Sequence, residues 1–353
     1  MKAVQYRGVK KLELVNIPVP QLRDDEILVK VSYCGICGSD LHTFVKGLYV
    51  EPGQVMGHEF SGIVEETGRD VEGIEVGDRV VVKPLGHCGK CNHCLNGRPH
   101  LCETVFSGGL IGYGGTAGAF AEYVVIPKAQ LNNNVFLLPK EISLDEAALI
   151  EPLAVALRGV QLAGIGLNDI IVIFGAGPIG LCVAQIVKTI GGSYVIQVDL
   201  SDKRLQAAKE FGVDMVLNPN KEDVVNQIAE MTGRGNYGSG ATADVVFECA
   251  GVPLTVKQAL KSVRHGGTII SLALFEEKLS FNPSTLVAKE IKWQGAFGYF
   301  SQEFRTAINL VKNKKIHLKR MISHTYPIEQ VLEAFEKQLD SSNSIKVCFQ
   351  LNE

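Results

Sequence analysis

The 353-residue sequence lacks any marked charge imbalance: 35 lysines and arginines face 38 aspartates and glutamates, a formal net charge of −3. With no basic stripe and no acidic tail, it offers nucleic acid no electrostatic footprint and predicts no solvating region. Long hydrophobic runs are equally scarce. The opening Met-Lys-Ala-Val-Gln-Tyr-Arg-Gly contains no apolar core of signal-peptide length. Only Ile170 to Val187, 18 residues without a charge, approaches the length of a membrane-spanning helix. Gly175-Ala176-Gly177-Pro178 interrupts it, and the β-branched Ile171, Val172 and Ile173 come first, so a buried strand turning into a buried helix is expected. The expectation is a soluble, cytoplasmic protein of about two domains. Cysteine is not scarce: there are nine. In a chain without a leader they favour thiols or metal sites over disulfides.

Cys88, Cys91, Cys94 and Cys102 fall within 15 residues. Repeated C-x-x-C turns with glycine nearby bend the backbone around one ion, and four thiolates close its tetrahedral shell. Such a site has no open position and is structural, with zinc the expected ion. Sites of this kind contribute about 10–16 kcal/mol of apparent folding energy in small zinc peptides. Four cysteines leave no place for His87, His93 and His100. Cys182, Cys249 and Cys348 lie in apolar segments and behave as small hydrophobes.

A second constellation is more spread out. His58 and Glu59 stand side by side at the mouth of an apolar, glycine-punctuated strand, and Cys37 lies 21 residues upstream. A thiolate and an imidazole from two loops suit zinc, although a histidine such as His58, taken alone, is more often an ordinary, partly buried one. Ser39 and His42 follow Cys37 closely; a helix N-cap is the commoner role for such a serine. Glu151 sits in the run Ala-Ala-Leu-Ile-Glu-Pro-Leu-Ala-Val. A carboxylate there is costly to bury unless paired, by a metal or by a structural hydrogen bond. Between these groups, Ser107 to Gly118 carries six glycines in twelve residues and is expected as a mobile loop near a cleft or a plain surface connection. Ser143 to Glu146 has the pattern of a capping box.

From about Leu153 strands and helices alternate, which implies a parallel sheet covered on both faces. After the strand Ile170 to Phe174, the sequence Gly175-Ala176-Gly177-Pro178-Ile179-Gly180 leads into a helix. A second strand ends at Asp199, 19 residues beyond Gly180. That is the context of a dinucleotide fingerprint. The glycines admit the pyrophosphate to the helix N-terminus, and the acid meets the adenosine ribose. Asp199 favours NAD over NADP by repelling a 2′-phosphate. Arg204 is expected beside the adenine or ribose, or as a solvated helix residue. Helices over Lys221 to Met231, Glu303 to Asn313 and Ile328 to Leu339, a glycine-rich loop over Gly233 to Gly240, and a last strand from Ile345 complete the expected elements.

The Gly57-His58-Glu59 segment, with Gly62, Gly68, Val71 and the Gly77-Asp78-Arg79-Val80 closure, resembles the zinc signature of the medium-chain dehydrogenases. The order of cysteine and histidine, four-cysteine lobe, Glu151-Pro152, fingerprint and returning tail is similar to the polyol and 2,3-butanediol type over essentially the whole chain. The resemblance implies an α/β fold: a GroES-like catalytic domain at 1–152 with its zinc lobe near 86–103, a doubly wound Rossmann domain at 153–297, and a return to the catalytic domain at 298–353. It implies two zinc ions and NAD. Cys37, His58 and Glu151 would hold the catalytic ion, Glu59 would be a neighbouring catalytic group or alternate ligand, and Ser39 and His42 would pass the proton outward. It also implies a small-molecule diol, polyol or ketone substrate, with threonine and sugar phosphates left open, and a homodimer or homotetramer. A catalytically silent NAD-binding protein would keep the fingerprint without Cys37, Ser39, His42 and His58.

Overall fold

A computed structural model describes residues 1–191, 194–233 and 241–352; all but the first residue of the expected Gly233 to Gly240 loop lies outside them. The chain divides into two units. One comprises Met1–Ala154, Gly298–Asp340 and Lys346–Glu353; the other comprises Val155–Phe297 and Ser341–Ile345. The segment 341–345 was expected with the first unit. Hydrogen bonds account for the difference: Arg204 Nε donates to the Ser344 carbonyl at 2.8 Å and Lys203 Nζ to that of Asn343 at 2.6 Å.

The first unit is built on a seven-stranded sheet ordered Ile322–Pro327, Lys346–Gln350, Ile27–Gly35, Glu59–Thr67, Arg79–Val82 and Val135–Leu137, with Tyr123–Ile126 also pairing to Ile27–Gly35. The strand Ile27–Gly35 is buried almost throughout and is paired along both of its edges. The chain's last strand rejoins its beginning here, with Cys348 opposite Gly35. Register also builds the site. Gly35 pairs with Glu59, so Cys37, just past the end of one strand, meets His58, just before the start of the other.

The second unit has six parallel strands in the order Met215–Leu217, Tyr194–Val198, Ile170–Phe174, Ala243–Glu248, Val263–Ser271 and Lys292–Gly295. Taken by chain position this is 3-2-1-4-5-6, the doubly wound arrangement. One face packs around Val172, Ile196, Val246 and Ile269 against Ile228 and Val256 from neighbouring helices. The uncharged run resolves as expected into the strand Ile170–Phe174 and the helix Pro178–Ile190. Among the described residues no helix is long and apolar enough to cross a membrane.

One local expectation fails for a polar reason, and one alternative reading is removed. Ser143 is the N-cap of Leu144–Ala147 but makes no side-chain cap bond; the Glu146 amide takes Asp145 instead, and the Glu146 carboxylate accepts from Lys319 N. Ser39 is not an N-cap. Cys37 holds that position for the helix Gly38–Lys46, and the Asp40 carboxylate turns back to accept the Cys37 amide at 2.9 Å.

Candidate active site

The four-cysteine lobe is a set of tight turns. The Cys91 amide donates to Cys88 Sγ and the Cys88 amide to Cys102 Sγ, both at 3.3 Å. The sulfurs lie 3.5 Å (Cys91–Cys94), 3.9 Å (Cys91–Cys102) and 4.0 Å (Cys88–Cys94) apart. Four sulfurs about 2.3 Å from one ion stand about 3.8 Å from each other, so the set fits tetrahedral zinc. None of the four is in a disulfide. Burial works to raise the Cys102 pKa, but the Thr104 hydroxyl and surrounding amides bring it down to about 6, which favours the thiolate.

Cys37, His58 and Glu59 form the second group, each offering a ligand atom within 4.8 Å of the others. Burial opposes charge on His58, yet Cys37 and Asp40 hold its pKa up at about 10. His58 Nδ1 and Asp40 Oδ1 are both buried without a hydrogen-bond partner among the described residues and stand 3.9 Å apart. An imidazole set among acids, with the Cys37 sulfur and a carboxylate beside it, suits a divalent cation, and Asp40 occupies the place of a carboxylate that orients a metal-bound histidine. The donor set therefore fits zinc.

The third member bears on a choice between two acids that the sequence left open. Glu59, expected as a neighbour or alternate ligand, stands in the group; Glu151, expected as the ligand, does not. Glu151 lies in the first turn of Ile150–Ala163 and accepts a hydrogen bond from the Tyr299 hydroxyl at 2.8 Å. Only 7% of Glu151 is exposed, and burial raises its pKa to about 7 although His58 opposes the shift. Glu59 in turn forms a buried ion pair with Lys346, whose ammonium also donates to the Ile36 carbonyl at 2.8 Å. Burial would lower the Lys346 pKa, but Glu59 and Cys37 hold it above its ordinary value. Ser39 and His42 sit three residues apart on Gly38–Lys46, hence on one face of that helix. The His42 ring meets Tyr49 edge-on, 6.3 Å between centroids.

Tyr299, Lys346, Asp40 and Tyr113 were not anticipated. Tyr113, in the glycine-rich stretch, is buried, donates its hydroxyl to Ser39 Oγ at 2.6 Å and lies with its ring 5.4 Å from that of His58. A tyrosine flanked by glycines on both sides was the one available signal.

In the second unit the fingerprint residues form one turn. A Cβ on Gly180 would meet the Gly175 carbonyl, so only glycine lets the helix begin this close to the strand. At Gly177, the N-cap of Pro178–Ile190, the space is open but for an Arg204 guanidinium nitrogen 3.8 Å away. Ile179 continues the first helical turn. Asp199 is fixed by the Ala176 amide at 2.6 Å and the Ser201 amide at 2.8 Å. The strand end, helix N-terminus and carboxylate suit a dinucleotide. Glu248, also unanticipated, caps the neighbouring strand by accepting from the Ala250 and Gly251 amides and Thr255.

Residues 23–139 match the family model described as alcohol dehydrogenase GroES-like domain, and residues 178–313 that described as zinc-binding dehydrogenase. The sequence is 33% identical to (R,R)-butanediol dehydrogenase of Bacillus subtilis (strain 168), across the full length of both chains. It is 32% identical to D-xylulose reductase A of Aspergillus oryzae, over 94% of this chain and 91% of that one. Among solved structures, the crystal structure of 2R,3R-butanediol dehydrogenase from Bacillus subtilis matches with a TM-score of 0.87 and 33% identity, covering 99% of each chain.

Proposed function

This chain belongs to the zinc-binding alcohol dehydrogenase family and is an NAD-dependent oxidoreductase acting on CH–OH groups, and from that premise we propose that its substrate is a vicinal diol or polyol. The observation that carries the proposal is Glu151: a buried carboxylate, held by Tyr299, close enough to His58 for each to shift the other's pKa. An apolar pocket gains little from a second hydroxyl. A carboxylate beside the reacting carbon accepts one, and a site built for such a bond penalises analogues that lack it.

In this reading Cys37, His58 and Glu59 hold the catalytic zinc. Glu59 has two oxygens, so its ion pair with Lys346 leaves one for the metal. When bound, zinc supplies Lewis acidity, the effect that lowers the pKa of bound water from 15.7 to about 7. Ser39 Oγ accepts the proton released by the alcohol and passes its own along the helix face toward His42. Asp199 selects NAD, and Arg204 lines the phosphate turn. The four-cysteine lobe holds the structural zinc. We further place the protein in the cytoplasm as a homodimer or homotetramer. The nine free cysteines support the first reading, and exposed apolar side chains such as Leu254 and Val287 support the second; a monomer by light scattering overturns the oligomer.

The substrate proposal is tested by comparing 2,3-butanediol and sorbitol with 2-butanol at saturating NAD. The diol or polyol is expected to lead by a factor of about a hundred or more in kcat/KM, and Glu151→Cys to shrink that lead. Equal or better turnover of 2-butanol overturns it.

A further inference from the structure

We propose that Tyr113 is a positioning residue for Ser39, its phenol fixing the serine hydroxyl in the orientation that proton transfer requires. The inference rests on the relay reading of Ser39 and deepens it. A serine hydroxyl has one hydrogen and two lone pairs. Tyr113 donates into one lone pair at 2.6 Å. The other lone pair is then left for the alcohol hydroxyl, and the serine hydrogen for the next acceptor on the way to His42. The serine's own proton moves off toward His42 slightly ahead of the arriving alcohol proton; Tyr113 keeps its proton throughout, and its donated hydrogen bond stabilises the partial negative charge that builds on Oγ in between. Without the phenol the hydroxyl is free to rotate, and fewer encounters find it aligned.

The loop that carries Tyr113 is built to hold it. The Gly118, Ala119 and Phe120 amides donate to the carbonyls of Val55, Gly57 and Met56 at 2.8, 2.8 and 2.9 Å, stitching the loop to the residues just before His58. The contact is too close for side chains: a Cβ at Gly118 would overlap the Met56 carbonyl, and one at Gly114, which has φ +57°, would overlap that of Phe106. The glycines of this stretch, expected as a mobile loop or a plain surface connection, let two backbones touch. The Tyr113 ring, packed edge-on against His58, then has its hydroxyl aimed at Ser39.

The test is a double-mutant cycle on the zinc-loaded enzyme with 2,3-butanediol and NAD, using Tyr113→Phe in the parent, Ser39→Ala and Ser39→Thr backgrounds. Tyr113→Phe keeps the ring against His58 and removes only the hydroxyl. In the parent it should lower kcat about three- to tenfold, the worth of one net hydrogen bond, and raise the solvent isotope effect on kcat. KM for NAD, bound zinc and Tm should not change. The cost should persist with Ser39→Thr, which keeps a hydroxyl, and vanish with Ser39→Ala. A crystal structure of Tyr113→Phe should show the Ser39 hydroxyl in more than one rotamer. An equal cost in the Ser39→Ala background, no cost in the parent, or a Ser39 rotamer as fixed as before overturns the proposal. Full activity of Ser39→Ala by itself overturns the relay reading and this inference with it.

Discussion

The four-cysteine lobe draws its sulfurs from a single 15-residue stretch, and three of the four cysteines are only half-buried. The cluster of Cys37, His58 and Glu59, with Glu151, Tyr299 and Lys346 around it, draws on five separated segments, and every member but Cys37 is at least nine-tenths buried. The lobe's helix Asn92–Leu95 buries none of its residues, and Leu95 is 73% exposed. The other cluster is set by strand register and ion pairs that exist whether or not a metal is bound. In the proposed reading, one site uses its metal as a core and the other uses the fold to present a metal to chemistry.

Breaking the two sites should therefore have opposite consequences. The largest effect is expected from Cys94→Ser, which opens the lobe and should lower Tm by more than about 10 °C. Cys37→Ser should abolish turnover while moving Tm by no more than about 2 °C, because the sheet beneath it is untouched. Scanning calorimetry checks both, and similar shifts for the two variants would erase the distinction.

Next comes the ion pair that belongs to the fold-built site. In the zinc-free protein, Lys346→Met leaves the Glu59 carboxylate buried without a counter-ion, which costs about 3–5 kcal/mol. Adding Glu59→Gln should recover most of that loss. Urea denaturation of the single and double variants measures it; a harmless Lys346→Met would mean that the cation does not compensate Glu59.

The smallest effect lies in the second unit. Asp199→Ser removes the charge facing a 2′-phosphate and should raise the NADP-to-NAD ratio of kcat/KM about tenfold, or about 1.4 kcal/mol. A parent enzyme that already prefers NADP would show that this carboxylate does not read the ribose.

The same contrast decides what could be read from the sequence. The lobe and the fingerprint were legible because their chemistry is local: C-x-x-C spacing, and glycines between a strand and a helix. Cys37 and His58 were recognisable by residue type and by resemblance. Their third partner was not, since Glu59 and Glu151 are both plausible acids and only the pairing of Gly35 with Glu59 brings one of them into the group. Lys346 lies 287 residues beyond Glu59, and nothing in its surroundings, Ser-Ile-Lys-Val-Cys, marks it as an ion-pair partner. Tyr113 was hidden by its glycines, which composition associates with mobility and the structure uses for close contact. The capping box over Ser143 to Glu146 failed because Asp145 and Lys319 compete for the same polar groups.

The central claim, two zinc sites with separate work, is tested most directly by metal analysis of the purified parent, Cys37→Ser and Cys94→Ser proteins. The account predicts two zinc ions per chain in the parent and one in each variant, with Cys37→Ser folded but inactive. One zinc in the parent, or the loss of both ions from Cys37→Ser, would contradict it.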